Sequence, residues 1–188
     1  MLYMVECGFA DAAQEAAWNA WYGETKLAEL LAVPGFLASQ RFRALDDAPA
    51  PYLAIHSIAS AAVFTHPAYR RGGGGGFGPW DPALITDWRR RLFTGLDVMP
   101  AVAAEERLVV YDGDPQAAPP LGLRFAWLAG VDWGAVTTYR AAVALDASVP
   151  HRGVAIVDAP TAAALPALPG LRRYRPLGPR RVASENVL

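Results

Sequence analysis

His56 lies in the segment Tyr52 to Ile58, where side chains alternate, with Tyr52, Ala54 and Ile58 on the histidine's side and Leu53, Ile55 and Ser57 on the other. An imidazole titrates near 6.5 in water, which suits proton transfer at neutral pH, so His56 facing a cavity is a candidate general base. Glu6 and Arg41 stand in other strand-like segments and are its candidate catalytic partners. The carboxylate would orient and charge the imidazole, and the guanidinium would hold an acidic or enolate oxygen. Ser39, beside Arg41, and Tyr52, on the face of His56, are candidate ligand contacts. A plainer reading of the same residues is a hydrogen-bonded structural histidine and a solvated Glu–Arg pair.

The stretch His66-Pro67-Ala68-Tyr69-Arg70 is expected at the rim of the same cavity, with His66 and Tyr69 as further ligand contacts. A residue before proline is biased towards extended backbone, so His66 equally suits the start of a surface helix. Three scattered histidines with no paired spacing make no metal site, and the one cysteine, Cys7, makes neither a disulfide nor a metal cluster. No cofactor is expected; haem bound through His66 is the weaker alternative. The glycines at 72–76 are followed by no Gly-Lys-Ser/Thr, so they do not form a phosphate-binding loop. They read either as a disordered insertion or as the hinge of a lid with Phe77 and Trp80 as its apolar contacts.

These residues must be positioned by a chain of 188 residues that is 53% hydrophobic and 19% charged, with a net charge of −1. That composition excludes a disordered or disulfide-scaffold protein. Near neutrality argues against attraction to nucleic acid or to an anionic membrane, which needs excess positive charge. Arg172, Arg173, Arg175, Arg180 and Arg181 around Tyr174 read as a charged edge strand rather than a nucleic-acid surface. No run reaches the roughly 18 apolar residues of a membrane span and no signal-peptide pattern opens the chain, so a cytoplasmic protein is expected. Sixteen of the 17 basic residues are Arg, with Lys26 alone as Lys, a pattern of genome composition more than of bidentate chemistry.

Residues 2–9 alternate as a strand, with Tyr3, Val5, Cys7 and Phe9 opposite Leu2, Met4, Glu6 and Gly8. A helix follows from a capping pattern at Asp11 and Gln14 to the stop at Pro34-Gly35, loosened near Gly23; Trp21 lies on its apolar stripe and Trp18 off it, free for a subunit contact. Residues 36–45 and 52–58 form a hairpin. Residues 61–71 form a short helix, and Asp81-Pro82 starts another in which Ile85, Trp88 and Leu92 make one stripe. Residues 103–111 supply a fourth strand and complete a β-α-β-β-α-β order, the ferredoxin-like α+β arrangement with helices on one face.

The remainder divides into a Pro/Gly-rich linker at 113–122 and a second, shortened α+β half at 123–188, against a first domain at 1–112. Strands are expected at 123–131, 153–157 and 171–177, with a helix or long strand at 133–145. Leu30 to Arg43, with its Pro34-Gly35, has a shorter echo in Leu165 to Arg175, with Pro169-Gly170, which suggests an internal duplication.

The strand–helix–"VPGF"–strand of residues 1–43, the strand "PYLAIHSI" and the following "FTHPAYR" resemble the dimeric α+β barrel superfamily, including its EthD-like and antibiotic-biosynthesis-monooxygenase-like members. The resemblance spans about residues 1–112. It implies two ferredoxin-like sheets closed into an α+β barrel, usually across a homodimer, with a ligand inside. The expectation is therefore a cytoplasmic protein that binds a small apolar or aromatic molecule in the barrel, with cofactor-free proton-transfer or monooxygenase-type chemistry. The alternative is a non-catalytic dimerisation module with a packed interior. A homodimer is expected on either reading, with no nucleic-acid or membrane partner.

Overall fold

The computed structural model describes residues 1–71, 76–119, 121–136 and 146–184. Eight strands form a closed antiparallel barrel: β1 (Leu2–Phe9), β2 (Phe36–Ala44), β3 (Tyr52–Ile58), β4 (Ile85–Thr94), β5 (Glu106–Asp112), β6 (Ala126–Val131), β7 (His151–Asp158) and β8 (Leu171–Pro176). A ninth strand, β9 (Arg181–Val182), extends β2 alongside Ala38 and Ser39. Around the barrel the order is β3-β1-β4-β6-β7-β5-β8-β2, closed by pairing of β2 with β3.

The order repeats. The first four strands stand as second, third, first, fourth (β2-β3-β1-β4), and the last four stand the same way (β6-β7-β5-β8). The halves meet where the fourth strand of each pairs with the second of the other, β4 with β6 and β8 with β2. Closure thus needs no second chain. The echo seen in the sequence is a local likeness outside this register: both segments leave a helix through a glycine in the left-handed region, Gly35 at φ 92 and Gly170 at φ 80. Yet one enters β2, a second strand, and the other enters β8, a fourth.

Two expectations are corrected. The helix expected from Asp81 is a single 3-10 turn, Pro82–Leu84, capped by the Asp81 carboxylate accepting from the Ala83 N–H at 2.9 Å, after which the chain enters β4 beside β1. A bulge explains the false helical spacing. Glu6 pairs with Arg89 and Gly8 with Thr86, leaving one extra residue near Asp87, whose φ is +48. A bulge resets strand alternation, so Ile85 and Trp88 pack into one cluster despite their odd separation. Consequently β4, and not the strand expected at 103–111, lies beside β1; that strand is β5, paired to β7 and β8.

The chain from β1 to β2 runs through α1 (Glu15–Trp21), a widened π turn (Tyr22–Lys26) and α2 (Leu27–Leu31), the irregularity falling at Gly23 as expected. A 3-10 turn (Ala61–Thr65) and α3 (Pro67–Arg71) join β3 to β4. In the second half a short α4 (Trp133–Val136) follows β6, α5 (Ala159–Ala164) joins β7 to β8, and a 3-10 turn at Pro115–Ala117 stands between β5 and β6. The expected helix or strand continuing to residue 145 lies outside the described residues.

Burial separates two layers. Leu2, Met4, Phe42, Leu53, Ile55, Phe93, Leu108, Val110, Leu128, Val154 and Tyr174 fill the barrel from all eight strands. Tyr3, Val5, Phe36, Ala54, Ile58 and Leu92 project outwards and are covered by α2, the 61–71 helical segment and Trp133. Trp18 is 1% exposed in this outer layer, stacked on Phe9, and so is not available for a subunit contact. Among the described residues no helix is long and apolar enough to cross a membrane.

Candidate functional site

The sheet alternation sends the expected site residues to opposite sides. Glu6 points into the barrel, where it pairs with Arg91 of β4 and, at 2.9 Å, with Arg152 of β7; Arg172 of β8 stands 4.0 Å away. Arg152 is held in turn by Asp112 of β5 at 2.6 and 2.7 Å, and Arg91 pairs with Asp146. Burial by itself would raise the Glu6 pKa, but Arg152, Arg91 and Arg172 together hold it below the usual carboxylate range. Three carboxylates face three guanidiniums. The network ties strands of both halves together, and Glu6 is part of the barrel's framework, not a partner of His56. The chamber expected to hold a ligand is occupied by this network and the apolar side chains around it.

His56 lies on the other side of the sheet, fully buried beneath the helices, opposite Tyr3 on β1 and Ser39 on β2. Ser39 Oγ is 2.8 Å from Nδ1, and the rings of Tyr3 and Phe36 pack at 5.4 and 5.8 Å. Nε2 is buried and has no hydrogen-bond partner among the described residues. Burial, with the charges of Lys26 and Arg41, pushes the His56 pKa down to about 3, so the ring is neutral at physiological pH. When Ser39 donates to Nδ1, Nε2 carries the proton and donates; when Nδ1 donates to Ser39, Nε2 accepts.

His56 borders a pocket between the sheet and the helical layer of the first half. Its walls are largely aromatic (Trp18, Tyr22, Tyr69, Phe77 and Trp88), and Lys26 and Cys7 join His56 as its chemical groups. The free space is about 30 Å³. That is room for one or two waters, each needing roughly 10–15 Å³. Phe77 lines the pocket, edge-on to Trp88 at 4.9 Å, and Trp80 packs edge-on to Phe9 at 5.7 Å and Trp21 at 6.4 Å. Residues 72–75 of the glycine run, expected as a disordered insertion or a lid hinge, lie outside the described residues.

Two of the seven expected site residues, His56 and Tyr69, line this pocket. Ser39 stands behind His56 and fixes its ring. Arg41 also stands behind the wall, its guanidinium 4.0 Å above the Tyr22 ring and 4.9 Å from Trp18, donating to the Asn19 carbonyl and side-chain oxygens at 3.1 and 2.9 Å. Burial lowers its pKa. Tyr52 braces β3 against α1, donating to Glu15 and accepting from Asn19. His66 Nδ1 accepts from the Ala68 N–H at 3.1 Å and starts α3. His66 does not line the pocket, and the pocket's free space of about 30 Å³ is far too small for a haem. Among the described residues no cluster of three His, Cys, Asp or Glu could hold a metal.

Lys26 was not singled out as a site residue, although the sequence carries a signal for it. Trp18, Tyr22, Lys26 and Leu30 follow one another at four-residue spacing, which puts them on one helix face; Trp18 and Leu30 are core. The Lys26 side chain is 5% exposed, and its ion pair, to the exposed Glu29, spans 4.0 Å. Burial lowers the Lys26 pKa, with Glu29 only partly opposing it. The Cys7 thiol, buried beside the same pocket, is pushed up to about 12 and is no nucleophile at neutral pH.

Compared with known proteins, the chain matches no family model, no curated protein and no solved structure.

Proposed function

We propose that this protein binds a small aromatic molecule carrying one hydroxyl or carbonyl oxygen, in the pocket between the first-half sheet and its helices. The observation that carries this reading is His56 Nε2, a buried polar atom with no hydrogen-bond partner among the described residues, on a side chain that lines an aromatic enclosure. Leaving such an atom unsatisfied costs about 1–3 kcal/mol. A guest oxygen bonded to Nε2 would recover that cost, while Trp18, Tyr22 and Trp88 supply ring contacts. A ring-sized guest would enter by displacing Phe77, which lines the pocket and is only half-buried. A neutral imidazole held by Ser39 suits a hydrogen bond to or from the guest oxygen, and its low pKa makes it a weak base at neutral pH.

The same reading treats the chain as two ferredoxin-like units fused into one α+β barrel, akin to the dimeric α+β barrel superfamily. The repeated strand order supports it, with the helices pared down in the second half. A purely structural module is the second reading, favoured by the filled barrel. Tryptophan fluorescence during titration with phenol or benzyl alcohol separates the two. Saturable quenching that is weakened at least about tenfold by His56→Phe, equivalent to one lost hydrogen bond, supports binding. No saturable change in the wild-type protein contradicts it.

A further inference from the structure

We infer that Lys26 is a carbonyl-trapping nucleophile that forms an imine with small aromatic or apolar aldehydes and ketones entering the His56 pocket. This inference rests on the pocket reading above and adds a covalent step to it.

The geometry sets Lys26 apart from every other basic residue. Sixteen of the 17 are arginines, which do not lose their proton; the single amine side chain is the one placed in an aromatic enclosure. It closes the widened Tyr22–Lys26 turn, and such π irregularities recur at functional sites. The side chain is buried, yet its carboxylate contact is long and reaches to an exposed partner, Glu29. A structural ammonium in this position would need a close carboxylate or several acceptors to offset its desolvation. Where a charge is held permanently, this chain does so with arginine: Arg41 beside the pocket and Arg91 and Arg152 in the barrel have short, directed partners. A lysine in water is neutral in only about one molecule in 2,500 at pH 7, from its pKa of about 10.4, and each unit of depression raises that fraction about tenfold. Burial moves Lys26 in that direction.

The step balances within the pocket. The Nζ lone pair attacks the carbonyl carbon, a C–N bond forms, and the carbonyl π electrons move to oxygen, giving a carbinolamine once a proton passes from nitrogen to oxygen. The C–O bond then breaks, the oxygen leaves as water with a second proton, and the nitrogen lone pair closes the C=N bond. Both protons on the departing water come from the amine. His56 lines the same pocket and its Nε2 has no hydrogen-bond partner among the described residues, so it can hydrogen-bond the carbonyl or carbinolamine oxygen while the protons pass from nitrogen to oxygen. No oxidant or metal is consumed.

The test uses the full chain with benzaldehyde and sodium cyanoborohydride at pH 7, read by intact mass and peptide mapping. The expected result is one benzyl group on Lys26, added at least about tenfold faster than to Nα-acetyl-lysine and slowed by excess benzyl alcohol. Labelling confined to the Met1 amine, or Lys26 labelling no faster than the free amino acid, overturns the inference. Benzyl alcohol quenching of tryptophan fluorescence is measured in parallel: if it saturates while Lys26 stays unlabelled, the inference fails and the pocket stands; if it does not saturate, both fail. Lys26→Arg keeps the charge but cannot form an imine, so it should lose the label at position 26 while circular dichroism shows the fold retained. Persistence of the label in that variant also overturns the inference.

Discussion

The two faces of the first-half sheet both bury polar groups, but only one of them balances its charges. Inside the barrel, Glu6, Asp112 and Asp146 meet Arg91, Arg152 and Arg172 in a chain of ion pairs that crosses from one half to the other. Outside, beneath the helices, a neutral His56 and a weakly paired Lys26 sit among aromatic rings with unused bonding capacity. Burial alone therefore does not mark a site. A buried charge met by opposite charges is part of the framework, whereas a polar group bordering free space in a pocket is available to a guest.

The sharpest way to break this comparison is to damage the framework side. Glu6→Gln keeps the shape but leaves Arg91 and Arg152 without their shared carboxylate, and should cost about 3–5 kcal/mol in urea denaturation. A loss below about 1 kcal/mol would mean that the inner charges are not acting as a tie. The carboxylate also has a pH signature. Its folded pKa is depressed, so the unfolded chain takes up the proton first as pH falls. The stabilisation is present above the unfolded value of about 4.3 and is lost below it, towards the lower folded value.

The pocket side titrates in a different window. His56 is held neutral with a pKa of about 3, whereas the unfolded imidazole protonates near 6.5. Between these values the unfolded chain binds a proton that the folded chain does not, so stability falls as pH drops from about 6.5 towards 3, by a few kcal/mol in all. His56→Phe should flatten that part of the stability–pH curve measured by denaturant midpoints; an unchanged slope would place the titration elsewhere.

Smaller effects sharpen the contrast. Ser39→Ala removes the partner of Nδ1 and should cost about 1–3 kcal/mol, with a weaker grip on phenol because the ring is no longer oriented. Phe77→Ala should cost about 1 kcal/mol or less, because the residue is only half-buried, but should raise phenol affinity by opening the mouth. Reduced phenol affinity in Phe77→Ala would make Phe77 a binding wall, not a plug.

Much of the first half was legible because its punctuation is local: β1 and the β2–β3 hairpin alternate, and Pro34-Gly35 ends the helix where the structure ends it. Strand β4 was hidden by its bulge, which made Ile85, Trp88 and Leu92 look helical. The repeated strand order was hidden because it depends on pairing between distant strands, while the visible sequence echo joins non-equivalent strands. Glu6 was assigned to the site of His56 because alternation divides a strand into two faces without saying which one meets which neighbour; when both faces are buried, composition does not distinguish them. Tyr3 opposite His56 fixes that relation, and it is a matter of register between strands far apart in sequence. Lys26 carries a weak sequence signal, because its four-residue spacing from Trp18, Tyr22 and Leu30 equally describes an ordinary core-facing helix stripe.

The central claim, that the site lies under the helices and not in the barrel, is tested most directly by a crystal structure of the protein with bound benzyl alcohol. The account predicts the ring among Trp18, Tyr22 and Trp88 with its hydroxyl on His56 Nε2 and Phe77 displaced. A ring inside the barrel, among Met4, Phe93 and Tyr174, would contradict it.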